Sequence, residues 1–206
     1  MARYCGSVCK LCRREKEKLY LKGSRCYTEK CAVQRREYPP GQHGLIRSRP
    51  SEYATQLREK QKIKRIYGLQ ERQFRNTFMK AESEEGITGE NLILALESRL
   101  DNVVYRMGFS ESRRQSRMFV RQEHFMLNGK KATLPSQRVR LNDVIEIKVS
   151  SRQMPAILSA LDRRRPIPDW LEVDRANFKG IVRLPLTRDQ VTEEFNEQLA
   201  VNLYSR

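Results

Sequence analysis

An α+β fold is predicted, from three observations. Apolar residues recur at helical spacing between residues 51 and 100, an Asn-Gly turn and a period-two strand lie between 125 and 149, and four cysteines stand in two close pairs within the first fifty residues. Together they describe a helical N-terminal domain with a cysteine-stapled segment, plus a small α+β module. The chain has 206 residues, enough for one or two domains. Hydrophobic residues are 38% of it and its mean hydropathy is -0.74, so any core is lean.

Residues 51–67 are predicted to be helical. Ser51 is placed to cap the N-terminus, Tyr53, Leu57, Ile63, Ile66 and Tyr67 recur at roughly helical spacing, and Gly68 marks the stop. A second helix follows over 71–83, with Phe74 and Phe78 one turn apart. Thr88 opens a third, with Leu92, Leu96 and Leu100 on one face. Residues 103–108 form a short helix ending near Gly108, and Ser110 or Ser112 caps another that runs to about Gln122. Phe125-Met126-Leu127 and Lys130-Lys131-Ala132 flank Asn128-Gly129, a hairpin signal because both turn residues tolerate positive φ. Ile145, Ile147 and Val149 alternate with Val144, Glu146 and Lys148 as a strand. Beyond residue 155 the pattern is weak, apart from a turn at Arg163-Arg164-Arg165-Pro166 and a terminal helix over 192–204.

Charge restricts the partner. The formal net charge is +16 and the pI is near 10.0, a self-repulsion that a polyanion would relieve. Residues 1–72 carry 19 basic against 7 acidic side chains, and residues 103–152 carry 11 against 4. Between them residues 73–102 are net acidic, with 3 against 6, and the remainder is balanced at 8 against 8. Two separate basic regions indicate two nucleic-acid-facing surfaces. No apolar run is long enough to span a bilayer and no N-terminal stretch resembles a signal peptide, so a cytosolic protein with reduced thiols is expected.

Cys9-x-x-Cys12 and Cys26-x4-Cys31 supply four soft ligands in two chelating pairs. Four thiolates suit one tetrahedral structural Zn²⁺, and a lean segment needs such a staple. An iron–sulfur cluster uses the same ligand types, and unligated thiols in a basic arm are the plain alternative; a disulfide fits the compartment less well. Cys5-x3-Cys9 lacks the tight spacing, so Cys5 is spare, and His43 lies well downstream. Four thiolates plus Zn²⁺ sum to minus two, so Arg13, Arg14, Lys22 and Arg25 still dominate the local field.

Arg113, Arg117 and Arg121 sit at i, i+4 and i+8 with Arg114 beside them, a positive stripe about three turns long with no i+4 acidic partners. Met118, with Phe119 or Val120, turns to the other side toward a core. Lys130 and Lys131 extend the charge across the hairpin. Repelling guanidinium groups are tolerated when phosphates lie opposite, and their forks match phosphate oxygens. Pro39-Pro40-Gly41 makes a rigid entry and turn, after which Gln42 and His43 can hydrogen-bond backbone or bases. Tyr4, Tyr20, Tyr27 and Tyr38 interleave the basic segment and either stack on unpaired bases or pack on the small metal core.

Several segments resemble one family. They are Pro39-Pro40-Gly41-Gln42-His43-Gly44, Leu57-Arg58-Glu59-Lys60-Gln61-Lys62, Arg65-Ile66-Tyr67-Gly68, Glu71-Arg72-Gln73-Phe74-Arg75-Asn76, the run from Glu97 to Phe109, and the closing Leu203-Tyr204-Ser205-Arg206. Along essentially the whole chain these are similar to the S-four family of small-subunit ribosomal proteins, in its zinc-bearing bacterial-type form. The stretch from about 97 to 152 is similar to the RNA-binding module named after that family.

The resemblance implies a zinc-binding segment over 1–50 and a helical domain over 51–96 closed by a C-terminal helix at 192–206. A second domain over 97–190, carrying the module, is inserted between them. It implies primary binding to 16S rRNA, early assembly of the subunit, a neighbouring protein of the S-five family and an influence on translational accuracy. Cytoplasmic, ribosome-bound residence follows, with no membrane or small-molecule partner. Arg47 and Arg49 would lie toward the mRNA entry path. The residues expected to face RNA in the first basic region are Arg3, Arg13, Arg14, Lys22, Arg25, Arg35, Arg36, Gln42, His43, Arg47, Arg49, Arg58, Lys62, Arg65, Arg72 and Arg75. In the second they are Arg113, Arg114, Arg117, Arg121, Lys130 and Lys131.

Two other functions would use the same charge. An RNA-modifying enzyme carrying the same module needs a pocket with convergent polar groups. His43 and His124 instead lack an obvious nucleophile or acid partner, and no Gly-rich phosphate loop or paired-carboxylate motif occurs. A zinc-dependent DNA-binding regulator is allowed by charge and cysteines, but no heptad or helix-turn-helix spacing implies a dimer on paired half-sites.

Overall fold

A computed structural model describes residues 4–45 and 49–205. Arg3 and Arg47, both expected to face RNA, lie outside the described residues. The chain divides into two compact units, Met1–Ile93 with Glu193–Arg206, and Leu94–Thr192. Among the described residues no helix is long and apolar enough to cross a membrane.

The first unit is helical. It contains α1 (Val8–Glu15), a 3₁₀ turn (Gly23–Tyr27), α2 (Ala32–Arg35), α3 (Glu52–Ile66), α4 (Glu71–Ser83), the start of α5 (Thr88–Glu97), and the C-terminal helix α9 (Glu197–Tyr204). Helix α3 begins where Ser51 accepts a hydrogen bond from the Ala54 amide at 3.2 Å. It ends at Gly68, whose φ of +63° suits the left-handed stop and whose N–H donates back to the Arg65 carbonyl. Ile63, Ile66, Tyr67, Phe74, Phe78, Leu92, Ile93, Phe195 and Ala200 make the buried core. Helix α9 lies against α3, with Tyr67 and Phe195 ring centroids 6.1 Å apart and Tyr204 stacked on Phe78 at 4.5 Å. The expected terminal helix over 192–206 is shorter than its apolar spacing suggests. Asn196 caps it by accepting from the Leu199 amide, and the Asn196 N–H is itself held by Glu59 at 3.0 Å.

One carboxylate ties this unit's ends together. Glu71 accepts from Lys60 at 2.5 Å, from Lys64 at 2.7 Å and from the Tyr204 hydroxyl at 2.9 Å. Burial pushes its pKa up, but the three hydrogen bonds together outweigh burial and hold it at about 2 against an ordinary 4.5. A depressed acid stabilises the fold in full above its unfolded pKa and loses that contribution as pH falls toward its folded pKa. Acidification from about pH 4.5 to about 2 is therefore expected to loosen α9, read as loss of amide protection in residues 197–204, and Glu71→Gln is expected to remove that pH dependence.

The second unit packs helices on one face of a sheet. Its helices are α6 (Leu100–Arg106), α7 (Arg113–Arg121) and α8 (Pro155–Asp162). Five strands, β1 (Phe125–Leu127), β2 (Lys130–Lys131), β3 (Val144–Ile147), β4 (Leu171–Asp174) and β5 (Lys179–Val182), pair antiparallel in the order β2-β1-β3-β5-β4. Strand alternation turns Phe125, Leu127, Ile145, Ile147 and Val182 inward onto Val103, Val104, Met107, Phe109, Phe119, Val120, Ile157 and Trp170. Asn128 (φ +50°) and Gly129 (φ +74°) form the hairpin turn, and Asn128 accepts from the Val144 amide at 2.8 Å, pinning hairpin to strand. On β5, a side chain at Gly180 would meet the Met107 sulfur at 2.5 Å, so glycine lets α6 settle onto the sheet. Strands β4 and β5 and helix α8 lie where the sequence pattern was weak.

Candidate nucleic-acid interface

All five cysteines lie in the basic N-terminal segment. Cys9 and Cys12 sit on α1, Cys26 is in the 3₁₀ turn, and Cys31 precedes α2. Cys12, Cys26 and Cys31 are buried and Cys9 is half-buried, whereas Cys5 is exposed. Burial pushes the Cys12 thiol up to about 11 and raises Cys26 as well; Cys26, Cys9 and Cys31 add repulsion at Cys12, and Cys31 and Cys9 add it at Cys26. The Lys22 amide donates to the Cys26 sulfur at 3.4 Å. Among the described residues no three His, Cys, Asp or Glu side chains converge closely enough to hold a metal ion. The donor set nevertheless fits a thiophilic cation in kind: four thiols from three short elements, three of them buried and one half-buried. His43 stands exposed in the turn around residues 41–45.

The cations of the first unit fall into two groups. Arg58, Lys62 and Arg65 on α3 turn toward acids. Glu15, whose side chain is only 2% exposed, pairs with Arg65 and, at 3.5 Å, with Arg58. Burial raises the Glu15 pKa, and the two arginines oppose that rise. Lys62 pairs with Glu17 at 2.8 Å and donates to the Glu194 carbonyl at 3.1 Å. These residues join α1 to α3, a structural duty that spacing on α3 alone does not reveal. The other group faces outward: Arg14, Lys22, Arg25, Arg35, Arg36, Gln42, Arg49, Arg72 and Arg75 are exposed. Arg13 is half-buried and held, donating from Nε to the Tyr38 carbonyl at 3.0 Å with its guanidinium 4.9 Å over the Tyr38 ring.

The arginine stripe of α7 is likewise divided. Glu97, 1% exposed, receives both arms of Arg106 at 2.9 Å, and lies 3.6 Å from Arg113. Asn102 donates to the Glu97 carboxylate and carbonyl, both at 2.8 Å, and accepts from Arg113 at 2.7 Å. Arg99 grips Asp101 with two bonds at 3.1 and 2.9 Å, and Arg117 approaches the same carboxylate at 3.9 Å. Arg113 also stacks on Tyr105 at 4.7 Å. Arg113 and Arg117 are thus mostly buried in a polar network joining α5, α6 and α7. Their acids come from other helices, which is why the i+4 spacing showed none. Arg114, Arg121, Lys130 and Lys131 point outward, with Lys131 only 4.0 Å from a loose partner, Glu123.

The outward set therefore has members in each unit, and spacing alone did not separate it from the inward set. Lys10 and Lys30 belong to the outward set of the first unit and were not singled out from the sequence; each is adjacent to a cysteine of the four, which was the available signal.

Comparison with known families places residues 3–97 against the ribosomal protein S4/S9 N-terminal domain and residues 98–145 against the S4 domain. Proteins named small ribosomal subunit protein uS4 are similar from end to end. Those of Pelobacter propionicus, Desulfatibacillum aliphaticivorans and Geobacter sulfurreducens are 57%, 55% and 54% identical over 208 residues, covering 100% of both chains.

Proposed function

Because the chain belongs to the uS4 family of small-subunit ribosomal proteins, we propose that it is a structural constituent of the small ribosomal subunit, binding folded 16S rRNA and catalysing no reaction. The observation that carries this is the end-to-end match to relatives bearing that one name, on a chain with outward-facing cations in both of its units. The protein resides on ribosomes in the cytoplasm, beside other proteins of the subunit. The RNA-modifying enzyme and the DNA-binding regulator lose their footing, since the whole length of the chain matches relatives that bear the one ribosomal name.

The physical account is electrostatic. Guanidinium and ammonium groups displace counterions from RNA phosphates, so affinity falls steeply with salt. Arg114, Arg121, Lys130 and Lys131 serve the second unit, while Arg113 and Arg117 hold the surface that presents them. Lys130→Ala with Lys131→Ala is expected to lower the log–log salt slope by up to about 1.8 and to leave the melting temperature unchanged. Filter binding on the 5′ domain of 16S rRNA, with duplex DNA as competitor, tests the reading; preference for the duplex would reverse it.

Three finer roles are proposed on the same basis. Cys9, Cys12, Cys26 and Cys31 hold one structural Zn²⁺, which would cross-link α1, the 3₁₀ turn and the start of α2 and supply no catalytic chemistry. The support is the pairwise spacing and the burial of the thiols; elemental analysis of purified protein giving one zinc per chain is the expected result, and metal-free protein with reactive thiols, or iron in its place, the contrary one. The exposed Arg49 serves the mRNA path, and the subunit's S-five protein is the neighbour through which the chain affects decoding accuracy; both rest on the family resemblance.

A further inference from the structure

Arg165 lies in the segment between α8 and β4, within the second unit. Both of its terminal nitrogens are buried, and among the described residues neither meets a hydrogen-bond acceptor. The backbone around it is fixed on both sides. Arg164 sits at φ +43°, an uncommon conformation for a long side chain, and its N–H donates to the Leu161 carbonyl at 3.3 Å. The Arg165 carbonyl accepts from Arg175 Nη2 at 3.4 Å. The Arg165 guanidinium lies 4.9 Å from the centre of the Tyr105 ring, and that of Arg113 lies 4.7 Å from the same centre. Two cations therefore share one aromatic ring.

The carboxylates of this unit are committed elsewhere. Glu97 takes both arms of Arg106 and lies 3.6 Å from Arg113, and Asp101 is gripped by Arg99. Glu111 pairs with Arg163 at 3.1 Å. The face of Tyr105 attracts a cation but brings no net negative charge. A guanidinium does not shed its proton in a protein, and a buried charge without a counter-charge is costly. Water would satisfy the donors and leave the charge; an anion answers both. The Arg165 nitrogens have almost no surface open to solvent, so a nucleic-acid strand cannot reach them. A single small ion admitted by a local opening can. We infer that Arg165, with Arg113 beside the same ring, forms a buried site for one small monovalent anion of the halide class, such as chloride. This goes beyond the RNA-binding reading, since the ion resides inside the second unit and takes no part of the nucleic acid.

The test uses the full chain. Trp170 is buried in the same unit, so its fluorescence reports urea unfolding there. Sodium chloride is exchanged for sodium glutamate at constant ionic strength, glutamate being too large for the site. The unfolding constant of the wild-type chain is expected to fall as chloride rises, by up to about tenfold for each tenfold increase above the dissociation constant. Arg165→Met keeps the apolar stem and should abolish that dependence. A crystal grown in bromide should show an anomalous peak within hydrogen-bond distance of the Arg165 nitrogens. Equal wild-type stability in the two salts overturns the inference, as does a chloride dependence that survives in Arg165→Met. A bromide crystal with water alone at those nitrogens overturns it too. A bromide peak without any chloride dependence in solution marks binding at crystal concentration only, and is equally contrary. Should Arg165→Met fail to fold, the wild-type titration and the bromide map decide the matter. Loss of 16S rRNA affinity in a folded Arg165→Met chain, with its chloride dependence intact, would assign the residue to the nucleic acid and refute the site while the RNA-binding reading stands.

Discussion

Glu97→Ala is expected to destabilise the α/β unit by about 3–5 kcal/mol, the range for removing one partner of a buried charge network. Glu97 is 1% exposed and compensates Arg106 and Arg113, and its carboxylate accepts a hydrogen bond from Asn102. Without it, both guanidinium groups lose a carboxylate that is itself almost fully buried. The chain's one tryptophan, Trp170, is buried in this unit, so its fluorescence during urea unfolding reports the effect directly. Glu172→Ala, which removes the exposed partner of Arg183, should leave the midpoint where it is. A Glu97→Ala protein within about 1 kcal/mol of wild type would contradict the account.

On the proposal that the four cysteines hold zinc, removal of the metal is expected to have the second large effect, confined to the first unit. In small zinc-binding peptides metal supplies roughly 10–16 kcal/mol of apparent folding free energy. Between residues 8 and 35 the buried apolar positions besides the cysteines are few, Val8 and Leu19 chief among them. Chelation, or Cys12→Ser, should therefore expose the amides of α1 and α2 to rapid hydrogen exchange while the Trp170 signal is untouched. Unchanged protection after chelation would show that the thiols pack as ordinary small apolar groups.

Much of this fold was legible in the sequence wherever local chemistry decides the outcome. Ser51 and Gly68 bracket α3, Ser112 opens α7, and Asn128-Gly129 turns the hairpin, because each is a short-range device whose residue type carries its own geometry. What spacing did not reveal is long-range. Strands β4 and β5 are short, and Gly180 breaks the apolar alternation of β5 because Met107 occupies the space its side chain would fill. The arginine stripe on α7 looked uniformly solvent-facing, since the acids that draw Arg113 and Arg117 inward lie on α5 and α6. Arg58 and Arg65 likewise find Glu15 some fifty positions earlier in the chain. Charge placement identified the two basic regions; only the fold sorts outward cations from those that hold it together.

The most direct test of the central claim is the salt dependence of the isolated chain's affinity for 16S rRNA. If six to ten outward cations meet phosphates, the affinity should drop about 10³–10⁵-fold between 50 and 200 mM salt. An affinity indifferent to salt over that range, or no complex at 50 mM, would contradict it.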